Sequence, residues 1–338
     1  MGPRVSITMP VLNGKRYIAG AIESILTQTY GNVELVVVDD GSTDETYAMV
    51  EPYFHKLNIK YVSHPARQGI PASMNDGVRH STGELIAFLD HDDIWLPEML
   101  ETQVAYLESH PDVGMVHSDF QTIDAEGRII EDSVAKCRNR VRVSGSVFPQ
   151  LFMDCFIVGN SVLIRKECFN RLGYFDESLR FGDYDMWLRI ARRYKVDYVP
   201  KVLTAYRQHA TQSTRAVSAG RPEEDCVVLA VIENTLRLCP EIRQELGRTT
   251  INRRFASIYF DMAYASFAAG SFASLRSCMR KAIHYWPTNH KYYCYLLASF
   301  LPPRFARVLR SSWQRVRGCL SSANDMGQLD RVTHVGHS

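Results

Sequence analysis

Leu85-Ile86-Ala87-Phe88-Leu89-Asp90-His91-Asp92-Asp93 is the stretch that decides the fold. Five successive apolar residues suit a strand covered on both faces, and the four polar residues behind them end it abruptly. Pro97 suits a first helical turn, and Leu100, Val104 and Leu107 follow at helical spacing. Ligands of open α/β sheets bind beyond the carboxyl ends of the strands. Hard divalent cations take carboxylate oxygens there and keep room for phosphate oxygens and water. The strand-end Asp90-x-Asp92 thus suits Mg²⁺ or Mn²⁺ holding a diphosphate. A lone acidic pair is more often a turn or helix cap, so the surrounding chain must decide.

Working outward, apolar runs at residues 5–9, 33–38, 59–62, 85–89 and 113–117 alternate with amphipathic stretches of helix length. That alternation predicts an α/β fold, a mostly parallel sheet with helices on both faces. Ile18, Ala21, Ile22, Ile25 and Leu26 share one face of the first helix, and Ser42-x-x-Glu45 has the pattern of a capping box for the second. A third helix rich in small residues spans 71–80. Residues 124–150 turn polar and basic, with Lys136-Cys137-Arg138-Asn139-Arg140 at their centre, and read as an excursion from the sheet on the acceptor side. A strand returns at 161–164, then Met186, Leu188 and Ile190 mark a helix packed on the sheet. Beyond His209 the pattern is all helix, at 226–238, 253–268 and 272–284, the last two forming a hairpin about Gly270 like a single tetratricopeptide-type unit. The expected division is a catalytic domain over 1–215, a helical region over 216–320 and a disordered tail over 321–338, whose Ser, Gly, Asn and His content offers no core.

At 338 residues and 46% hydrophobic, the chain can bury a sizeable core. Its eight cysteines include no Cys-x-x-Cys pair, which supports neither a zinc site nor a disulfide framework and suits a reducing cytosol. No basic-then-apolar leader opens the sequence, and the apolar run 292–301 is too short to span a bilayer. The net charge of +2 is uneven: between Asp261 and Asp325 there are nine Arg or Lys residues and no acid, so the rest of the chain carries −7. In that segment Phe305, Val308, Leu309, Trp313 and Val316 recur at helical spacing between Arg304, Arg307, Arg310, Arg315 and Arg317. This predicts an interfacial amphipathic helix, each cation being worth about 1 kcal/mol near an anionic leaflet. The expected location is cytoplasmic, peripheral at the inner face of the membrane.

Taken together, Thr8-Met9-Pro10-Val11-Leu12-Asn13-Gly14, Val38-Asp39-Asp40-Gly41-Ser42-Thr43-Asp44, Gly83 through Asp93, and Gly173-Tyr174-Phe175-Asp176-Glu177 followed by Gly182-Asp183-Tyr184-Asp185-Met186-Trp187 resemble the family-2 glycosyltransferases of GT-A fold. The resemblance covers residues 5–213 and implies inverting transfer of a sugar from a nucleoside diphosphate donor, UDP first, to a hydroxyl of a cell-surface glycan or lipid-linked precursor. It implies that Pro10 and Asn13 lie beside the nucleotide, that Asp40 accepts the base N–H, and that Asp39 orients the same turn. Asp92 is the implied metal ligand, and Asp90 contacts the ribose or supports the Mn²⁺ or Mg²⁺ through water. Asp93 is expected to cap the following helix. Asp183 resembles the general base, with Asp185 the competing candidate, and His209 the additional metal or diphosphate contact. The family usually has Glu where this chain has Gly182, which either enlarges the acceptor side or shapes the loop.

Other classes fit less well. A sugar-phosphate nucleotidyltransferase needs a Gly-rich basic loop behind the first strand, and a nicotinamide-dependent dehydrogenase needs Gly-x-Gly-x-x-Gly there; Met9 to Gly14 is neither. The carboxyl-terminal arginines alternate with an apolar face and match no nucleic-acid module, so no nucleic-acid partner is expected. An inactive membrane-bound scaffold is opposed by the joint presence of Asp40, Asp92 and Asp183.

Overall fold

The structure, a computed structural model, describes residues 2–137, 143–212 and 226–300. They form two compact units, one reaching to Leu151 and resuming over Cys155–His209, the other comprising Phe152–Asp154 and the helices beyond Val227.

In the first unit, β1 (Val5–Val11), β2 (Val33–Asp39), β3 (Ile59–Ser63) and β4 (Leu85–Phe88) lie parallel in the order β3-β2-β1-β4. Strand side chains alternate between faces. Val5, Ile7, Met9 and Val11 therefore point one way with Leu35, Val37, Leu85 and Ala87, and meet Ile18, Ala21, Ile22 and Ile25 of one helix and Leu100, Val104 and Leu107 of another. Leu26 was expected on that apolar face but is 38% exposed, being the last residue of its helix. On the opposite face the helix Ile70–His80 comes so close that a Cβ on Gly77 would lie 2.0 Å from Thr8 Cγ2, an approach only glycine permits. Phe88 on that face meets Phe169 and Phe175 edge-on, at centroid distances of 6.2 and 5.4 Å.

The sheet continues through β5 (Ile94–Trp95), β6 (Val113–Ile123), β7 (Ile129–Glu131), β8 (Val162–Arg165) and β9 (Lys195–Arg207), in the order β4-β8-β6-β9-β5 with β7 on β6. Here the mostly parallel sheet takes on antiparallel members: β8 is antiparallel to both β4 and β6, and β5 is antiparallel to β9. Antiparallel neighbours need no helical crossover. The sequence pattern missed β9 because Pro200 and Lys201 interrupt it. The ladder to β6 jumps from Ser118↔Val199 to Asp119↔Val202 across that pair, placing the proline in a bulge.

The second unit is helical, with Val227–Leu238, Ile242–Ala268 broken at Gly247, Phe272–Tyr285 and His290–Ala298. The chain folds back at Gly270, whose φ of 74° is left-handed, so Tyr285 stacks on Phe255 and Tyr259 at 4.9 and 5.8 Å. No helix among the described residues is long and apolar enough to cross a membrane. The domain limit at Arg215, the amphipathic segment from Phe305 and the tail 321–338 lie outside the described residues.

Candidate active site

The order β3-β2-β1-β4 runs outward in both directions from β1, so the crevice between the ends of β1 and β4 is a switch point where open α/β sheets bind ligands. Pro10 stands where the two strands separate. Thr8 O still accepts from Leu89 N on the β4 side and Val11 O accepts from Asp40 N on the β2 side. Alternation turns Pro10 toward β4 after β4 has left, so its missing N–H costs no ladder bond. Asn13 follows with a left-handed φ of 55°. It joins the two strand ends, donating its N–H to Ser42 Oγ at 2.8 Å and accepting from Thr43 N at 2.9 Å. These bonds occupy Ser42, and the capping box does not form: the helix starts at Thr46, whose N–H bonds Asp44 at 3.1 Å. Asp44 also takes the N–H of Lys15, a competing claim that the capping pattern could not show.

Asp39 and Asp40 do different work. Asp39 accepts from Ser42 N at 2.8 Å and from Tyr61 Oη at 2.6 Å, which holds the turn. Burial and that carboxylate push the Tyr61 hydroxyl well above its usual range. Asp40 is buried and takes three N–H donors: Gln68 N at 2.6 Å and His64 Nδ1 at 2.9 Å on Oδ1, and Gly69 N at 2.9 Å on Oδ2. His64 continues through Nε2 to Asp76 at 3.0 Å, and Arg79 closes the chain on Asp76 at 2.8 Å. Neither His64 nor Asp76 was found in the sequence. His64 directly follows β3, so the strand-end rule applied to a third parallel strand was the available signal.

At the end of β4 the four polar residues separate. Asp93 is fully enclosed and accepts from Arg207 N at 2.8 Å and Asn160 Nδ2 at 2.6 Å; it does not cap the helix that follows. It fastens the turn at Asn160, just before β8, to the end of β9, and burial with the neighbouring Asp92 and Asp90 charges lifts its carboxyl well above the usual range. Arg207 also donates Nε to Asp92 O at 2.7 Å, and its guanidinium lies 4.9 Å from the centre of the Tyr17 ring. Tyr17 in turn packs 4.9 Å from the ring of His209. That packing aims His209 Nε2 at Asp92 Oδ2, 2.8 Å away. Burial works to raise the Asp92 carboxyl, but His209 and the adjacent His91 hold it below its ordinary value. Asp90 has no such counter-charge: burial, then the charges of Asp92 and Asp183, push it up to about 7.

Asp183 opens the helix Asp183–Ala191, and its carboxylate accepts the N–H of Tyr184 at 2.8 Å and is held by its own backbone N–H. Surrounding protein raises its carboxyl above the usual range while part of its surface stays open to solvent. Asp185, its rival, is committed elsewhere, bonded at 2.8 Å to Arg189 Nε, whose other nitrogens donate to Leu172 O and Tyr174 O. Asn75 fixes the preceding loop, its side chain accepting from Phe175 N at 2.8 Å and donating to Phe175 O at 3.0 Å. Gly182 packs closely on the same loop: a Cβ there would lie 3.1 Å from Phe175 Cβ.

Oxygens of Asp90, Asp92 and Asp93 come within 4.8 Å of one another. Asp93 already holds Arg207 and Asn160, and His209 Nε2 lies beside Asp92, so Asp90, Asp92 and His209 are the candidate donors. Neighbouring ligands of an octahedral ion at about 2.1 Å stand about 3.0 Å apart, close to the 2.8 Å between Asp92 and His209, and the carboxylate-rich set suits a hard divalent cation.

Comparison with known proteins places the chain in a family. The model of "Glycosyl transferase family 2" matches residues 6–172, from β1 through the helix after β8. An uncharacterized glycosyltransferase of Methanocaldococcus jannaschii is 30% identical over 209 residues, 61% of this chain and 71% of that one. The chain belongs to the family-2 glycosyltransferases. An uncharacterized glycosyltransferase of Rickettsia prowazekii is 34% identical over 216 residues, 63% of this chain and 66% of that relative. The fold recurs in solved structures. Residues 1–349 of Staphylococcus aureus TarS, in complex with UDP-GlcNAc, give a TM-score of 0.55 at 17% identity over 86% of this chain and 91% of that one. The mannosyltransferase PcManGT of Pyrobaculum calidifontis, in complex with GDP-Man and Mn²⁺, gives 0.54 at 22% identity over 88% and 86%. Asp183 and His209 of this family-2 glycosyltransferase lie beyond the segment that the family model matches.

Proposed function

We propose that the protein transfers a sugar, with inversion, from a nucleoside diphosphate donor to a hydroxyl of a cell-surface glycan or a lipid-linked precursor, with Mn²⁺ or Mg²⁺ at Asp92, His209 and Asp90. The observation that carries this is the convergence of Asp92, His209 and Asp90 at the β4 end, with the Asp183 carboxylate near enough for its charge to act on Asp90. Pro10, Asn13 and Asp39 shape the nucleotide side, and Asp40 accepts a base N–H. Asp183, raised by burial and engaged by no cation among the described residues, takes the proton of the acceptor hydroxyl as its oxygen attacks the anomeric carbon. The bond from that carbon to the diphosphate breaks, and the nucleoside diphosphate departs with the electron pair. A bound divalent cation supplies positive charge where the leaving diphosphate gains negative charge. UDP-sugar is the first donor to test, as UDP-GlcNAc is bound by TarS, with GDP- and dTDP-sugars behind it.

The acid-free segment between Asp261 and Asp325 supports a second element of the reading, peripheral contact with the inner face of the membrane beside a lipid-linked acceptor.

Screening nucleotide sugars for release of the nucleoside diphosphate tests the transferase. A UDP-sugar should be turned over with Mn²⁺ or Mg²⁺ and not in a chelator, and failure of every donor to bind or react overturns the reading.

A further inference from the structure

His64 occupies a position that the transfer reaction does not call for. Its ring is buried between two carboxylates, with Nδ1 at 2.9 Å from Asp40 Oδ1 and Nε2 at 3.0 Å from Asp76 Oδ2. Ionised carboxylates only accept, so between two charged ones both ring nitrogens donate and the ring is an imidazolium. A carboxylate offers about four lone-pair sites, two on each oxygen. On Asp40, Oδ1 is filled by Gln68 N and His64 Nδ1, while Oδ2 holds Gly69 N and has one site left. The cradle is stiff: a Cβ on Gly41 would lie 3.2 Å from both Ala66 C and Arg67 N, so the 66–69 backbone is pressed against the Asp40 turn.

We propose that His64 is a specificity-determining residue, which fills Asp40 Oδ1 so that the carboxylate can accept one base N–H and no more. Uracil and thymine present a single ring N–H to such an acceptor. Guanine presents N1–H and the N2 amino group side by side, a pair that needs both carboxylate oxygens, and one of these is already full. The site therefore selects a uridine or thymidine diphosphate over a guanosine diphosphate. This rests on the nucleotide-binding reading above and adds the base to it.

Calorimetric titration of the full-length protein with UDP, dTDP, GDP and N3-methyl-UDP in Mn²⁺ is the test. UDP and dTDP should bind about tenfold or more tighter than GDP, and N3-methyl-UDP, which lacks the N–H, should lose a similar factor. His64→Gln keeps one N–H donor to Asp40 and should keep the UDP-to-GDP ratio, whereas His64→Leu opens Oδ1 and should lower it several-fold. GDP or N3-methyl-UDP binding as tightly as UDP, or an unchanged ratio in a folded His64→Leu protein, overturns the assignment and leaves the transferase reading intact. Should His64→Leu not fold, the N3-methyl-UDP and GDP titrations of the wild type decide alone. No binding by any of the four nucleotides overturns both readings.

Discussion

His209 Nε2 lies 2.8 Å from Asp92 Oδ2, although 117 positions separate the two residues in the chain. β9 ends at Arg207, and Arg207 is bonded both to Asp93 Oδ1 and to the Asp92 carbonyl, so the strand delivers His209 to the end of β4. Asp92→Ala should therefore abolish the rise in melting temperature that UDP and Mn²⁺ together produce. His209→Ala should weaken Mn²⁺-linked UDP binding by about tenfold or more while leaving UDP binding in chelator unchanged. Equal effects with and without Mn²⁺ would place His209 outside the metal site.

Asp183 and Asp185 are two residues apart, yet among the described residues only Asp185 is engaged by a guanidinium. Asp183→Asn should lower turnover by about 10²–10⁴ and keep donor affinity. Asp185→Asn should act on stability instead, by about 1–3 kcal/mol, because Arg189 loses its charged partner. Steady-state kinetics beside denaturant melts separates the two, and normal turnover in Asp183→Asn would move the base elsewhere.

Gly182→Glu installs the residue usual in the family. The backbone there, at φ −100° and ψ −7°, accepts any side chain, so the cost is steric, against Phe175 Cβ at 3.1 Å. A loss of about 1–3 kcal/mol in chemical denaturation is expected. Pairing the change with Phe175→Gly should leave less than the sum of the two single losses, since the clashing Cβ is removed together with the ring.

The buried imidazolium gives stability a defined pH dependence. Burial pulls His64 down, but Asp40 and Asp76 outweigh it and hold its pKa above the ordinary 6.5. The folded state then binds the proton more tightly than the unfolded chain. The stabilisation is complete below pH 6.5 and is lost as pH rises through the raised folded value. Asp76 is lowered and loses its contribution only in acid. The melting-temperature gap between wild type and His64→Gln should shrink from pH 6 toward about 9, and a gap that widens would contradict the charge assigned to the ring.

Flotation with anionic liposomes examines the basic segment. The whole chain should float and be released by salt, and a chain ending at Ser299 should remain below. Equal behaviour of the two would remove the membrane from the proposed function.

Sequence reasoning reached the parallel half of the sheet because β1, β2 and β4 are largely apolar runs with polar stops and β3 sets Ile59 and Tyr61 against Lys60, all local patterns. It fared worse on β9, where Pro200 breaks the pattern and the bulge opposite Asp119 repairs it through a partner strand. Ser42-x-x-Glu45 misled for a related reason, since Asn13 on another strand end claims the Ser42 hydroxyl.

The sequence alone determined which carboxylates stand at strand and helix ends, since a two-residue strand period and a polar stop are properties of short segments. Only the tertiary structure decided which of them stay open to a ligand. Asp93 is held by Arg207 and Asn160 and Asp185 by Arg189, Asp40 keeps one Oδ2 site beside the three donors His64, Gln68 and Gly69, Asp92 meets His209, and Asp183 takes backbone N–H groups at the start of its own helix. A carboxylate's role depends on which donors reach it, and most of these arrive from elements far along the chain.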